Sequence, residues 1–140
     1  MVNIKIMLHN ISHFLVPIIV VRVVMSFAQL DLYKLIFSAT LGAFFPDIDH
    51  FTMRKTYKNV SFWKFIKEVM KAERYRKGFL FFHNLLTILF LIVLIPITAR
   101  FFSIYFSIFL LSFLAHLIMD FLADVLIIKS HAHWKFKKWI

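Results

Sequence analysis

The sequence predicts an all-α, polytopic membrane bundle of about four transmembrane helices plus one interfacial amphipathic helix, and three observations carry that expectation. Of the 140 residues, 61% are hydrophobic and 19% aromatic, and the mean hydropathy is +0.81. Only two glycines and three prolines interrupt the chain, which allows long helices and disfavours β-rich or disordered classes. The 19 phenylalanines exceed what a soluble core of this size can hide, whereas a lipid solvent removes the need to hide them. A single integral membrane domain over residues 1–140 is the natural reading.

The first apolar stretch, about 11–28, follows one early lysine, contains Arg22 and shows no small-x-small cleavage pattern, so a retained helix is expected rather than a signal peptide. Asp31 stands where an N-cap belongs before the second stretch, 32–45. That stretch is short against the roughly 20 residues a spanning helix needs. Pro46 ends it by removing a backbone donor and disfavouring helix just before itself, which predicts irregular backbone over residues 47–50. Such backbone survives at membrane depth only inside protein or in a wet cavity. The third and fourth stretches cover about 79–99 and 101–128. Pro17 and Pro96 fall within helical stretches, where neighbouring helices tolerate a kink.

Between the second and third stretches, Phe62, Phe65, Ile66, Val69 and Met70 recur at i, i+3, i+4, i+7 and i+8, with Lys64, Lys67, Lys71 and Arg74 elsewhere on the wheel. An interfacial amphipathic helix over about 61–77 is expected. The 51–78 loop also holds Arg54, Lys55, Lys58, Arg76 and Lys77, and the tail adds Lys129, Lys135, Lys137 and Lys138, while the other two connections offer little more than Lys34 and Arg100. Because basic loops stay cytoplasmic, four spans with both termini and the 51–78 loop inside satisfy every segment at once. The expected location is thus the inner or plasma membrane, multi-pass. The expected partner is membrane lipid, with anionic head groups meeting the basic loop. The net charge of +10 needs no nucleic acid, since topology alone accounts for basic flanks and no recognition motif accompanies them.

The absence of cysteine rules out disulfides, thiolate metal sites and a cysteine nucleophile. Chemistry must come from residues that are rare near membrane spans. Glu68 and Glu73 belong to the amphipathic helix, which leaves Asp47, Asp49, Asp120 and Asp124. An ionisable group within or bordering a span costs several kcal/mol unless partnered, roughly 3 kcal/mol even on insertion scales. His13 opens the first span, His50 follows the two aspartates, His83 lies early in the third span and His116 late in the fourth. At about 1.5 Å rise per residue these all fall toward the cytoplasmic leaflet. His116, Asp120 and Asp124 stack at i, i+4 and i+8 on one helical face.

Each of these has a plain structural role open to it. A single histidine can bond a neighbouring helix, residues 46–50 can cap and turn a helix, and Asp124 can pair with a tail lysine. His9, His131 and His133 read as surface residues near the termini. The joint convergence points to a divalent cation, one ion or two. Mixed imidazole and carboxylate without thiolate suits Zn²⁺ first, with Mn²⁺ or Fe²⁺ as alternatives, and all-oxygen Mg²⁺ or Ca²⁺ less. Such a set activates water and clamps a phosphate ester, so hydrolysis is the favoured reaction class.

The run Gly42-Ala43-Phe44-Phe45-Pro46-Asp47-Ile48-Asp49-His50, followed by His83 and by His116-Leu117-Ile118-Met119-Asp120, with Ser12-His13 upstream, resembles the YdjM-like, LexA-regulated inner-membrane family classed as metal-dependent hydrolases. The resemblance spans about residues 11–124. It implies metal ligation by His13, Asp47, Asp49, His83, His116 and Asp120, with His50 a ligand or an acid/base. The His-x-x-x-Asp pair is also similar to a ligand pair in zinc-dependent phospholipases C, which suggests a lipid phosphodiester as substrate class by analogy. Two positions depart from the family pattern. Tyr75 stands where a His-Arg-Gly element usually begins, and Phe82-His83-Asn84 replaces the usual Thr-His-Ser.

No His-Glu-x-x-His, Gly-x-Ser-x-Gly or P-loop motif competes with this reading. The expected mechanism has metal-activated water attacking phosphorus, with His50 or Asp124 shuttling the proton. The alternatives are a haem-binding protein, which leaves Asp47 and Asp49 without a purpose, and a non-catalytic metal-binding or ion-handling protein.

Overall fold

The computed structural model describes residues 4–48, 61, 64 and 81–128, and of these not the side chains of residues 4–10, 12, 13, 127 and 128. All regular structure among the described residues is helical. Helix α1 is Ile4–Met25, α2 is Leu32–Phe44, α3 is Leu85–Phe101 and α4 is Ile104–Ala123, which runs on into a π-helical turn, Asp124–Ile128.

The helix ends follow from local chemistry. Arg22 sits in the last turn of α1, where a cation meets the negative end of the helix dipole, and the Ser26 hydroxyl donates to the Arg22 carbonyl at 2.9 Å. Asp31 caps α2 as expected, its carboxylate accepting from the Lys34 N–H at 3.1 Å. Past Phe44 the chain tightens into a 3₁₀ turn over residues 45–48. This is more regular than the irregular backbone expected there, and proline suits it because a first-turn N–H has no intrahelical partner to lose.

Helix α3 begins at Leu85, later than the expected start near residue 79, because Asn84 caps it and accepts from the Thr87 N–H at 2.9 Å. His83 consequently lies just outside the helix, in a bend over residues 81–84, and not within a span. Pro17 and Pro96 do sit inside α1 and α3.

Helix α4 is the centre of the bundle. Helices α1, α2 and α3 all pack against it, and α1 also packs on α2. Buried Val16, Val20, Leu35, Ala39, Ala43 and Ile108 fill one side of α4. Leu91, Leu110, Phe113, Leu114 and Leu117 fill the other. The contact between α2 and α4 is close because its residues are small. A Cβ placed on Gly42 would run into the Phe109 carbonyl oxygen and lie 2.9 Å from the Ser112 Cβ. In lipid such close packing, rather than exclusion of water, holds helices together.

Outside these contacts the surface is apolar. Phe14, Ile18, Phe37, Leu89, Phe90 and Val93 are all exposed, a surface that water would penalise and hydrocarbon would not. Among the described residues one helix, Ile104–Leu126, is long and apolar enough to cross a membrane by length and composition. The four-span expectation is thus met in helix number but not in helix length. Helix α2 has 13 residues and α3 has 17, against about 20 for a full span. The apolar part of α1 is confined to Phe14–Met25.

The expected amphipathic helix over 61–77 lies outside the described residues except at Ser61 and Lys64. There the Lys64 N–H donates to the Ser61 hydroxyl at 3.4 Å, the contact of a residue capping a helix start.

Candidate metal centre

Three elements deliver the site. The 3₁₀ turn after α2 brings Asp47, the bend before α3 brings His83, and one face of α4 brings His116 and, a turn later, Asp120. His83, His116 and Asp120 are buried, while the Asp47 side chain is 33% exposed, so the cluster opens to one side.

The geometry is tight. Asp120 Oδ2 lies 3.0 Å from His83 Nε2 and 3.2 Å from His116 Nε2. Asp47 Oδ1 lies 3.6 Å from the same His116 nitrogen. The two imidazoles meet edge to face, with centroids 5.8 Å apart. Donor atoms of Asp47, His83 and His116 all fall within 4.8 Å of one another, and this His₂Asp group could hold a metal ion.

The donor chemistry fits a divalent cation. Two imidazoles and a carboxylate within 4.8 Å of one another are a donor set that zinc and similar divalent ions accept. Asp120 faces the same Nε2 atoms an ion would use. It hydrogen-bonds His83 at 3.0 Å and lies outside the His₂Asp group itself. The same carboxylate oxygen between the two nitrogens leaves no room for a haem macrocycle between His83 and His116.

Phenylalanines support the ligands from below. Phe45, two residues before Asp47, packs on Phe82, Phe109 and Phe113 with centroids 5.5, 5.4 and 5.8 Å away. Phe82, next to His83, packs on Phe113 at 5.3 Å. Rings in tilted and edge-to-face contact in this way set the end of α2 beside the start of α3. The sequence signals them only as phenylalanines close to each ligand.

The other expected site residues have different standings. Asp124 is buried and opens the π turn, its N–H bonding the carbonyls of Asp120 and Phe121. The bond from the Asp124 N–H to the Asp120 carbonyl keeps the i, i+4 spacing up to Asp124, and the wider register covers the residues that follow. His13 lies in α1 with its side chain outside the described residues. Its neighbour Phe14 packs on Phe44 with centroids 5.7 Å apart, so the α1 turn that carries His13 runs beside the end of α2. Asp49, His50 and Tyr75 lie outside the described residues. Asn84 is the N-cap of α3, a role that serine fills equally well. The departure from the family pattern at that position therefore keeps its structural function.

The family model described as YdjM inner membrane protein matches residues 7–125. No curated protein and no solved structure matches the chain.

Proposed function

The chain belongs to the YdjM inner membrane protein family, and from that premise we propose that it is a membrane-embedded, metal-dependent hydrolase acting on a phosphate ester of a lipid or similar amphiphile. One observation carries the reading. Two buried imidazoles, His83 and His116, and the partly exposed Asp47 carboxylate, from three elements distant in sequence, bring their donor atoms within 4.8 Å of one another, with buried Asp120 against both rings. Burying such groups together costs several kcal/mol per ion unless they are paired and satisfied, and a cation satisfies all of them at once.

In this reading Asp47, His83, His116 and Asp120 hold a divalent ion, with zinc favoured by the imidazole content. His13, Asp49 and His50 are candidates to complete the shell or a second position. A bound ion of this kind supplies a water acidic enough to react near neutral pH and polarises a phosphoryl oxygen. The chain contributes the rest. Asp47, the exposed ligand, faces the side from which substrate arrives, the phenylalanines exclude bulk water, and Asp124 or His50 moves the proton. The four helices cross the bilayer with both termini and the basic 51–78 loop on the cytoplasmic side, and that loop collects anionic head groups.

Elemental analysis of protein purified without added metal, paired with phosphodiester turnover assays on phospholipid, tests the reading. About one or two equivalents of ion, and turnover lost with the ion in Asp120→Asn, are expected. Absence of any ion sinks the proposal, and bound ion without turnover across a broad ester panel replaces it with a metal-binding or ion-handling role.

A further inference from the structure

The face of α4 that carries His116 and Asp120 also carries Ser112, one turn earlier. Its side chain is 0% exposed, and its hydroxyl makes no hydrogen bond among the described residues. Ser107 on the same helix behaves otherwise, since its hydroxyl meets that of Thr98 and lies within bonding distance of the Ser103 carbonyl. A buried hydroxyl without a partner is costly. Alanine at 112 would place the same Cβ against α2 without that cost and would favour the helix more. The hydroxyl therefore calls for a partner of its own.

Helix geometry names that partner. Ser112, His116 and Asp120 are spaced i, i+4 and i+8, which stacks them on one face, and helical side chains lean toward the N-terminus, over the turn before their own Cα. Asp120 shows the lean, its Oδ2 reaching back to 3.2 Å from His116 Nε2. The same lean lays the His116 ring over the turn that carries Ser112. Nε2 is the ring atom turned to the cluster, with Asp47 Oδ1 at 3.6 Å, so Nδ1, on the backbone side of the ring, is left for a group on α4. Across from Ser112, helix α2 presents Gly42, which has no side chain to offer; a Cβ there would lie 2.9 Å from the Ser112 Cβ.

Resting on the metal-dependent hydrolase reading above, we propose that Ser112 is the positioning residue of His116: its hydroxyl accepts the Nδ1–H and so fixes the tautomer that offers Nε2 to a divalent cation. An imidazole ligates through one nitrogen as the neutral ring, with its proton on the other, and that proton needs an acceptor to hold the ring in place. The Ser112 hydroxyl reaches the ring by rotation about χ1, its single heavy-atom torsion, and commitment of Nε2 to an ion is what gives that rotamer its partner. A hydroxyl donates as well as accepts, so its own proton remains for a backbone carbonyl of the preceding turn. Ser112 touches neither ion nor substrate and acts through His116.

The test uses the full chain in detergent with zinc alone as the probe. Zinc affinity is measured by competition with a chromophoric chelator, and the His116 ring is read by nitrogen-15 NMR of histidine-labelled protein, its signals identified by their loss in His116→Ala. Ser112→Ala is expected to lower zinc affinity about tenfold, to shift the His116 Nδ1–H signal of the zinc-loaded protein and to speed its exchange with solvent. Metal-free Ser112→Ala should unfold at the wild-type temperature or above it. Unchanged affinity and an unchanged Nδ1–H signal overturn the positioning role and leave the metal centre standing. Lower affinity accompanied by earlier unfolding of the metal-free variant also overturns it, by assigning Ser112 to packing. A wild-type chain that binds no zinc overturns both the role and the reading it rests on. Affinity and signal that respond as expected, in a wild-type protein that turns over no ester, support the role while sinking the hydrolase reading.

Discussion

The two ends of α4 bury polar groups in different ways. Near its start, Ser107 meets Thr98 of α3, hydroxyl to hydroxyl, at 2.9 Å. One hydroxyl donates to the other, which in turn donates to a carbonyl of its own segment, Thr98 to Ile95 or Ser107 to Ser103. The arrangement is complete within the protein and carries no charge, as expected of polar groups that join helices in lipid. Near its end, His116 and Asp120 meet His83 and Asp47, ionisable groups whose donors converge instead of distributing along the backbone. Hydroxyls at depth hold helices together, whereas imidazoles and carboxylates brought to one place could also hold a metal ion, and that difference makes the second end the candidate site.

Removing a ligand at the second end should have the largest effect. His116→Ala is expected to abolish tight metal binding and lower turnover about 100-fold or more, and Asp120→Asn to weaken metal affinity at least tenfold, both read by elemental analysis and ester hydrolysis. If the ion survives in both variants, the distinction between the ends fails. Gly42→Ala comes next. Its new Cβ would collide with the Phe109 carbonyl and push α2, with Asp47 at its end, off α4. A loss of about 1 to 3 kcal/mol, seen as earlier thermal unfolding in detergent, should come with lower metal occupancy.

Asn84→Ala should cost about 1 kcal/mol through the lost cap, with Asn84→Ser close to neutral. Recovery of metal occupancy in the serine variant would separate capping from ligation. The smallest effect belongs to the first end. A Thr98→Val, Ser107→Ala double-mutant cycle should give a coupling of about 0.6 kcal/mol with metal content unchanged. A change in bound metal there would show that the two ends are not independent.

Much of the site was legible because its residues are chemically out of place. Asp47, His83, His116 and Asp120 are conspicuous in an apolar chain, and the i, i+4 spacing of His116 and Asp120 already places them on one face. The helices themselves were legible as apolar runs, and Asp31 as a cap. Helix lengths were less so. Apolarity runs upstream of the point where Asn84 starts α3, so hydropathy extended that helix beyond its hydrogen-bonded limit, whereas α2, expected over 32–45, ends within one residue of that. His83 was accordingly expected inside a helix and is found in the bend before one. The π turn at Asp124 has no periodic signature, since it changes the bonding register by one residue without altering composition.

The sequence by itself determined an all-helical membrane protein with rare ionisable groups, because solvent preference and helix periodicity are properties of residue type and local spacing. Only the tertiary structure decided which of those groups meet. The separation of Asp47 from His83 and of both from His116 depends on how closely Gly42 lets α2 approach α4, and on the phenylalanine contacts that set the end of α2 beside the start of α3. Those are steric relations between distant segments. They are also what turns four polar residues into one candidate metal centre.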